Sequence, residues 1–545
     1  MSNTLRLHGG ADLCPHLCAR LILFGCALTS PWTLGGVAHA QDDEASANIR
    51  VVNTTVVEYR ADNRNGRDDD DNYGVGINRL NLLGSADNIS TALRFDGFYF
   101  LSEDKTDRNF RDDARLERVT VNYRLGDWTL TGGDVYRQLG RGILMSVRKV
   151  AEVGQDTSSR GGQIEYDSYP HKVYAFVGRA NSINLDPVSQ KFVTPVEDIL
   201  AGTQYEYSLD PLSVGVMAMY LQPEQRLLET ERDWTRGAGV FINAYDVLDW
   251  ATFYVEADMQ ERALGGTGER GYAGYATSTI ILGDTSILLE GMILDQFEVR
   301  GSENTAVNNR FFYNQPPTLE RIDQEVLNTR DVQGGRVRVE QYIDALEMNV
   351  YVNSMIRFAD PGEDNELSQI HNFAGFNLDY GDGARLLASA GRRVETTLET
   401  DVWATYATPD GDPSIVKSIN HVEGDWLQPL GGGYALHLSS LNEFRTIFDA
   451  ERGEEGGGRP WRRGSTFLGL EVSGLGSLTF EYGFDTLDPD AANRFFAGIL
   501  AWQQYDVFNV RTTVGTQRGG LKCVAGVCRE FPGFAGAQVE MVGRF

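Results

Sequence analysis

The stretch Phe253-Tyr254-Val255-Glu256-Ala257-Asp258-Met259 alternates apolar and polar side chains without a break. In an extended strand, successive side chains point to opposite faces, so this pattern gives one apolar and one polar face. A helix would scatter the same residues around its axis. The alternation recurs along the chain. Leu116, Val119, Val121 and Tyr123 surround Arg118, Thr120, Asn122 and Arg124. Gln163, Glu165 and Asp167 alternate with Ile164 and Tyr166, and Gln204, Glu206 and Ser208 with Tyr205, Tyr207 and Leu209. Leu478, Phe480, Tyr482 and Phe484 form another such face, and so do Phe508, Val510, Thr512 and Val514.

The breaks between these runs carry the topology. One set is short and rich in turn formers: 84–88, 125–127, 169–171, 210–212, 246–249, 283–285, 346–347, 381–384, 428–433, 474–476 and 503–506. Gly126-Asp127, Asp210-Pro211 and Gly283-Asp284 are residues that tight hairpins demand. The other set is longer and charged: 61–72, 103–113, 139–159, 181–200, 222–235, 261–270, 299–333, 359–369, 397–414, 448–464, 486–492 and 518–533. Short and long breaks alternate. They predict an all-β, transmembrane, antiparallel up-and-down β-barrel of about 24 strands, with 22 to 26 compatible with the less distinct edges. A soluble sandwich would bury its apolar faces in a common core and has no reason to alternate short with long connections.

Composition agrees. The chain has 545 residues, 41% apolar and 10% aromatic, with 60 glycines, and no window after residue 40 approaches the apolar length of a membrane helix. The aromatic content argues against disorder. A formal net charge of −28 makes nucleic acid a poor partner.

Residues 1–40 read as a signal peptide. Arg6 and Arg20 supply positive charge, Leu21 to Leu28 form the apolar stretch, and Ala38-His39-Ala40 is the expected cleavage site. Residues 41–545 would form the barrel. The few residues between that site and the first strand leave no room for a plug or periplasmic module, so a barrel without attached machinery is expected. Cys14, Cys18 and Cys26 would leave with the signal. Cys523 and Cys528 would then pair as a disulfide in an oxidising compartment.

The last strand ends Ala537, Val539, Met541, Gly543 and Phe545 at alternate positions. It resembles the terminal signal of Gram-negative outer-membrane proteins, which the barrel assembly machinery reads. That resemblance assigns Val539, Met541 and Phe545 to assembly, and implies an outer-membrane location among lipid and lipopolysaccharide. A second segment, Gly132-Gly133-Asp134-Val135-Tyr136 through Gly140-Arg141-Gly142, with Gly154-Gln155-Asp156 and Arg160-Gly161-Gly162, resembles uncharacterised porin-like barrels. It carries no known chemistry and favours a pore.

Catalytic signatures are missing: no phosphate loop, no H-E-x-x-H, no G-x-S-x-G elbow and no paired C-x-x-C. His437 with Ser439 and Asn442 is similar to the Ser-His-Asn set of outer-membrane phospholipase, but ordinary wall side chains explain these residues as well. The expectation is a protein that is not an enzyme and needs no cofactor. Polar alternates place Arg118, Arg124, Glu165, Asp167, Glu256, Asp258, Arg336, Arg338, Glu340 and Arg511 on the lumen. Asp68, Asp69, Asp70 and Asp71 are calcium candidates, though a solvated loop accounts for them better and no D-x-D-x-D-G spacing occurs.

The functional expectation is a porin-like channel for polar solutes. An export conduit for a polymer or glycan with a periplasmic partner, or a closed surface scaffold or adhesin, would suit the same fold. Two long breaks, 139–159 and 299–333, are candidates to fold inward and narrow the lumen; projection outward as surface loops is the alternative.

Overall fold

The computed structural model describes residues 47–62, 71–101, 112–186, 190, 196–224, 233–247, 250–264, 267–304, 309–321, 330–361, 367–397, 417–447, 459–487, 493–505, 507–524 and 527–545. The expected signal peptide lies outside them. The first twelve barrel strands are β1 (Asn48–Arg60), β2 (Tyr73–Ala86), β3 (Ile89–Phe100), β4 (Asp113–Leu125), β5 (Trp128–Val135), β6 (Gln155–Ser168), β7 (His171–Ser182), β8 (Ile199–Leu209), β9 (Leu212–Gln222), β10 (Trp234–Val247), β11 (Ala251–Leu264) and β12 (Thr267–Leu282). The rest are β13 (Thr285–Asp295), β14 (Val332–Ile343), β15 (Met348–Ala359), β16 (Leu367–Tyr380), β17 (Ala384–Thr397), β18 (Lys417–Gly431), β19 (Tyr434–Ile447), β20 (Arg459–Val472), β21 (Gly476–Asp485), β22 (Arg494–Tyr505), β23 (Phe508–Gln517) and β24 (Phe534–Arg544).

Each strand pairs antiparallel with its sequence neighbours, and β24 returns to β1, with Met541 opposite Thr55 and Val539 opposite Val57. Val51 and Phe545 exchange both backbone hydrogen bonds at 2.7 Å, which fastens the closing seam at the end that carries the short turns. Closure satisfies the backbone ladder without leaving an edge, the condition for crossing lipid with strands. Hairpin turns fall at one end, helped by left-handed Gly126 (φ +58°) and Gly283 (φ +62°). Long connections gather at the other.

One face of the sheet carries exposed large apolar side chains, among them Val214, Val216, Tyr220, Phe253, Val255 and Met259. On a closed barrel this is the lipid face. The chain folds as a closed antiparallel barrel of 24 strands that presents this apolar face to lipid and crosses the membrane many times, with short turns at one end and long connections at the other.

Two sequence expectations need correction. The break at 261–270 is shorter than expected: β11 runs to Leu264 and β12 starts at Thr267. Charged side chains here extend the hairpin instead of ending it, since Arg262 donates to Glu269 at 2.7 Å and Arg236 to Glu261 at 3.0 Å. The spacing of Leu116 and Val119 also has a local cause. Arg94 pairs with Arg118 but Phe95 with Leu116, so Glu117 is an inserted residue that returns Leu116 to the apolar face.

Candidate functional site

The lumen is not an empty tube. Residues 136–154 of one connection, and the described residues 296–304, 309–321 and 330–331 of another, lie on the lumen side of the wall, coming from the end that carries the long connections. Leu139, Ile143, Leu144, Met145 and Val147 from the first are buried with Phe297, Val299, Tyr313 and Leu319 from the second. They pack on lumen-facing Tyr174 and Phe176 of β7, Met217 and Met219 of β9, Phe241 of β10 and Met292 of β13. An apolar core thus lies inside the barrel, where sequence patterning predicts a polar wall. The two segments also bind each other: Ser146 N donates to Tyr313 O at 2.6 Å, and Gln315 N to Gly142 O at 2.8 Å. Tyr313 is fully enclosed and hydrogen-bonds Asp198 at 2.8 Å; burial, then the Asp198 charge, pushes its hydroxyl well above the ordinary tyrosine range.

The glycine-rich segment that resembles porin-like barrels builds the first of these. Its chain leaves the wall after Val135 and bends at Gly140 (φ +52°), whose N–H donates to Gln204 at 3.0 Å. A Cβ on Gly140 would stand 2.6 Å from the Glu256 carboxylate in a left-handed backbone, which favours glycine here. Arg141 N donates to Glu256 Oε2 at 2.8 Å, and its guanidinium stands 4.5 Å over the Tyr254 ring. Tyr136 donates to Asp156 at 2.6 Å, and burial pushes its hydroxyl up to about 12.

The second segment reaches across to β16–β18. Glu320 accepts from Gln369 at 2.8 Å and meets His371 Nδ1 at 2.6 Å. His371 Nε2 lies 2.9 Å from His421 Nε2, and Arg321 Nη2 donates to Glu423 at 2.9 Å. Burial alone would raise Glu320. The hydrogen bond and charge of His371, with Arg393 behind them, outweigh it and hold the carboxyl below the usual glutamate range. Glu320 and Arg321 therefore latch the inward segment to the wall.

The expected lumen residues divide in two. Arg118, Glu256 and Asp258 are buried beneath the inward segments, so Glu256 and Asp258 are not the solvated wall that their pattern suggested. Arg118 donates to Asp156 at 3.1 Å. Glu165 pairs with Arg137, Asp167 with Lys172 at 2.9 Å, and Arg336 with Glu290 at 3.2 Å. Arg338 pairs with Glu340 at 2.5 Å, while Arg124 and Arg511 are exposed toward the short-turn end. His437 lies 2.8 Å from Asp425 and 3.3 Å from Glu471. Asn442 instead donates to Ser440, and strand alternation puts it on the face opposite His437, so the Ser-His-Asn set does not assemble.

Asp68, Asp69 and Asp70 lie outside the described residues, and Asp71 is buried. Among the described residues, no group of three or more His, Cys, Asp or Glu is placed to hold a metal. Cys523 and Cys528 are backbone partners in register in a short hairpin, Gly520–Val524 with Val527–Phe531, in the last long connection. Phe545 projects outward and is 66% exposed.

Sequence reasoning missed Leu139, Leu144, Glu320, Arg321 and the His371–His421 pair. The apolar run Ile143-Leu144-Met145 inside a charged break was the available signal.

No protein-family model matches the chain, and no curated protein matches it. Among solved structures it is similar to the siderophore receptor PirA from Pseudomonas aeruginosa, at TM-score 0.47 and 9% identity over 92% of this chain and 80% of that one. It is similar to the ferric citrate transporter FecA at TM-score 0.46 and 12% identity, over 91% of this chain and 79% of that one. It is also similar to the P pilus usher PapC translocation pore at TM-score 0.41 and 8% identity, covering 91% and 99% of the two chains. No residue role passes from any of them to this chain.

Proposed function

We propose that the protein conducts polar solutes across the outer membrane, along the part of the lumen that its inward segments leave uncovered, and performs no catalysis. The observation that carries this reading is the contrast between two sectors of the wall. The β7–β13 sector is sealed under apolar packing. On β19–β24 no inward segment among the described residues packs over the wall: Trp461, Ala497 and Ile499 are buried there, while a cavity of about 770 Å³ at the short-turn end opens between polar groups, Glu471, Gln503, Asn509, Arg511 and Glu540, and apolar neighbours such as Val510 and Val542. Apposed arginine and carboxylate groups set a field across such a passage. Liposome swelling with neutral sugars of graded size tests it. Swelling that declines with sugar size supports a narrowed pore, and no swelling with the smallest sugar makes the barrel a closed scaffold.

A further inference from the structure

The uncovered sector has an arginine cluster near the end that carries the long connections. Arg445 of β19 and Arg463 of β20 both donate through Nε to the same Glu443 oxygen, at 2.9 and 2.8 Å. Arg518, just beyond β23, reaches Asp485 through Nη1 at 3.4 Å. Arg445 also meets that oxygen through Nη2 at 2.8 Å. The Nη groups of Arg463, and Nε and Nη2 of Arg518, have donors to spare. Glu481 shares this face, but its Oε2 accepts from Gln517 at 2.6 Å.

Arginines elsewhere on the wall are matched differently. Arg94 holds Asp96 and Asp156 through separate nitrogens, at 2.6 and 2.9 Å. Here both Arg463 and Arg518 also keep contact with water, at 20% and 27% of their side-chain surface.

Trp461 adds an independent observation. Arg445 stands 5.2 Å over its ring, and the residue is 5% exposed. Its indole N–H is buried with no acceptor among the described residues. A buried donor without a partner is costly, and an acceptor seated beside it would recover that cost. The cations are also crowded: burial, and then the Arg463 charge, holds the Arg518 guanidinium below its ordinary value.

We propose that Arg445, Arg463, Arg518 and the Trp461 N–H form a station for an oxyanion, a phosphate or carboxylate group borne by the transported solute. This rests on the reading of the protein as a channel, and gives that channel its solute class. Planar guanidinium forks suit such oxyanions because two parallel N–H groups meet two oxygens. The station lies where a solute arriving from outside first meets the open sector.

The test uses purified full-length protein in planar bilayers, with inorganic phosphate as probe. Wild type is expected to prefer anions by reversal potential in a KCl gradient, and millimolar phosphate is expected to block its current. In Arg463→Gln/Arg518→Gln, phosphate block should weaken at least tenfold and anion preference should fall. Arg463→Lys/Arg518→Lys should keep the preference and lose part of the block, since lysine lacks the fork. Heat-modifiable migration on gels checks that each variant folds. A wild type without anion preference, or a Gln pair that changes neither quantity, overturns the station and leaves the channel standing. A wild type that conducts nothing fails the channel reading. In that case a phosphate-dependent rise in Tm, lost in the Gln pair, keeps the anion site, and no rise overturns it.

Discussion

Leu144→Ala should free the first inward segment from the wall. Leu144 is 0% exposed, and its Cδ1 sits so close to the wall that a Cβ on Gly237 would stand 2.6 Å from it. Truncating a leucine so enclosed costs about 2–5 kcal/mol, because the cavity adds to the lost transfer energy. The cost falls on docking of residues 136–154, since the barrel ladder does not depend on this side chain. At about 1.4 kcal/mol per factor of ten, the undocked population rises about 30-fold to several thousandfold. Trypsin reads this directly, because Arg141, Arg148 and Lys149 lie in the segment. When opening is fast relative to cleavage, proteolysis follows the open population. The measurement is the rate of cleavage within the segment, in micelles, against wild type. A rate within about threefold of wild type, for both Leu144→Ala and Leu144→Asp, would refute docking by apolar burial.

Three further outcomes are expected. Glu320 has a lowered folded pKa, so the stability it contributes is complete above the unfolded value of about 4.3 and is lost as pH falls through the lower folded value. Current should step up in acid below that value in wild type, and Glu320→Gln should remove the step; an unchanged acid response in the variant counts against the latch. Cys523 and Cys528 should be joined in protein exported to an oxidising compartment, so thiol labelling after denaturation without reductant should find none, and two labelled thiols would contradict the bridge. Deleting Phe545 removes both the outward aromatic and one of the hydrogen-bonded ends of the β1–β24 seam, and should leave protease-sensitive, periplasmic protein; normal heat-modifiable protein in the outer membrane would contradict an assembly role.

The wall was legible in the sequence because a barrel strand is a local object. Period-two alternation in residues such as Phe253–Met259 needs no knowledge of distant contacts, and Gly126 or Gly283 marks a turn by its own backbone freedom. The strand count follows from such signals alone. The lumen was not legible, because its contents come from pairs far apart in sequence. Leu144 matters because Gly237 leaves room for it, and Glu320 because His371 waits across the barrel. Glu256 and Asp258 looked like solvated wall since alternation reports only which face a residue occupies. The Gly140 bend that buries them depends on Gln204 as well as on its own φ. The Trp461 donor has no sequence signature at all.

The most direct test of the whole account is single-channel conductance of wild-type protein beside a variant lacking residues 302–330. That deletion removes Tyr313, Leu319, Glu320 and Arg321, and with them the docking partner of residues 136–154 and the latch to β16–β18. The account predicts a measurable, narrow conductance in wild type and a several-fold larger one in the variant, with heat-modifiable migration preserved. Equal conductance in the two proteins would contradict a lumen narrowed by its own inward segments.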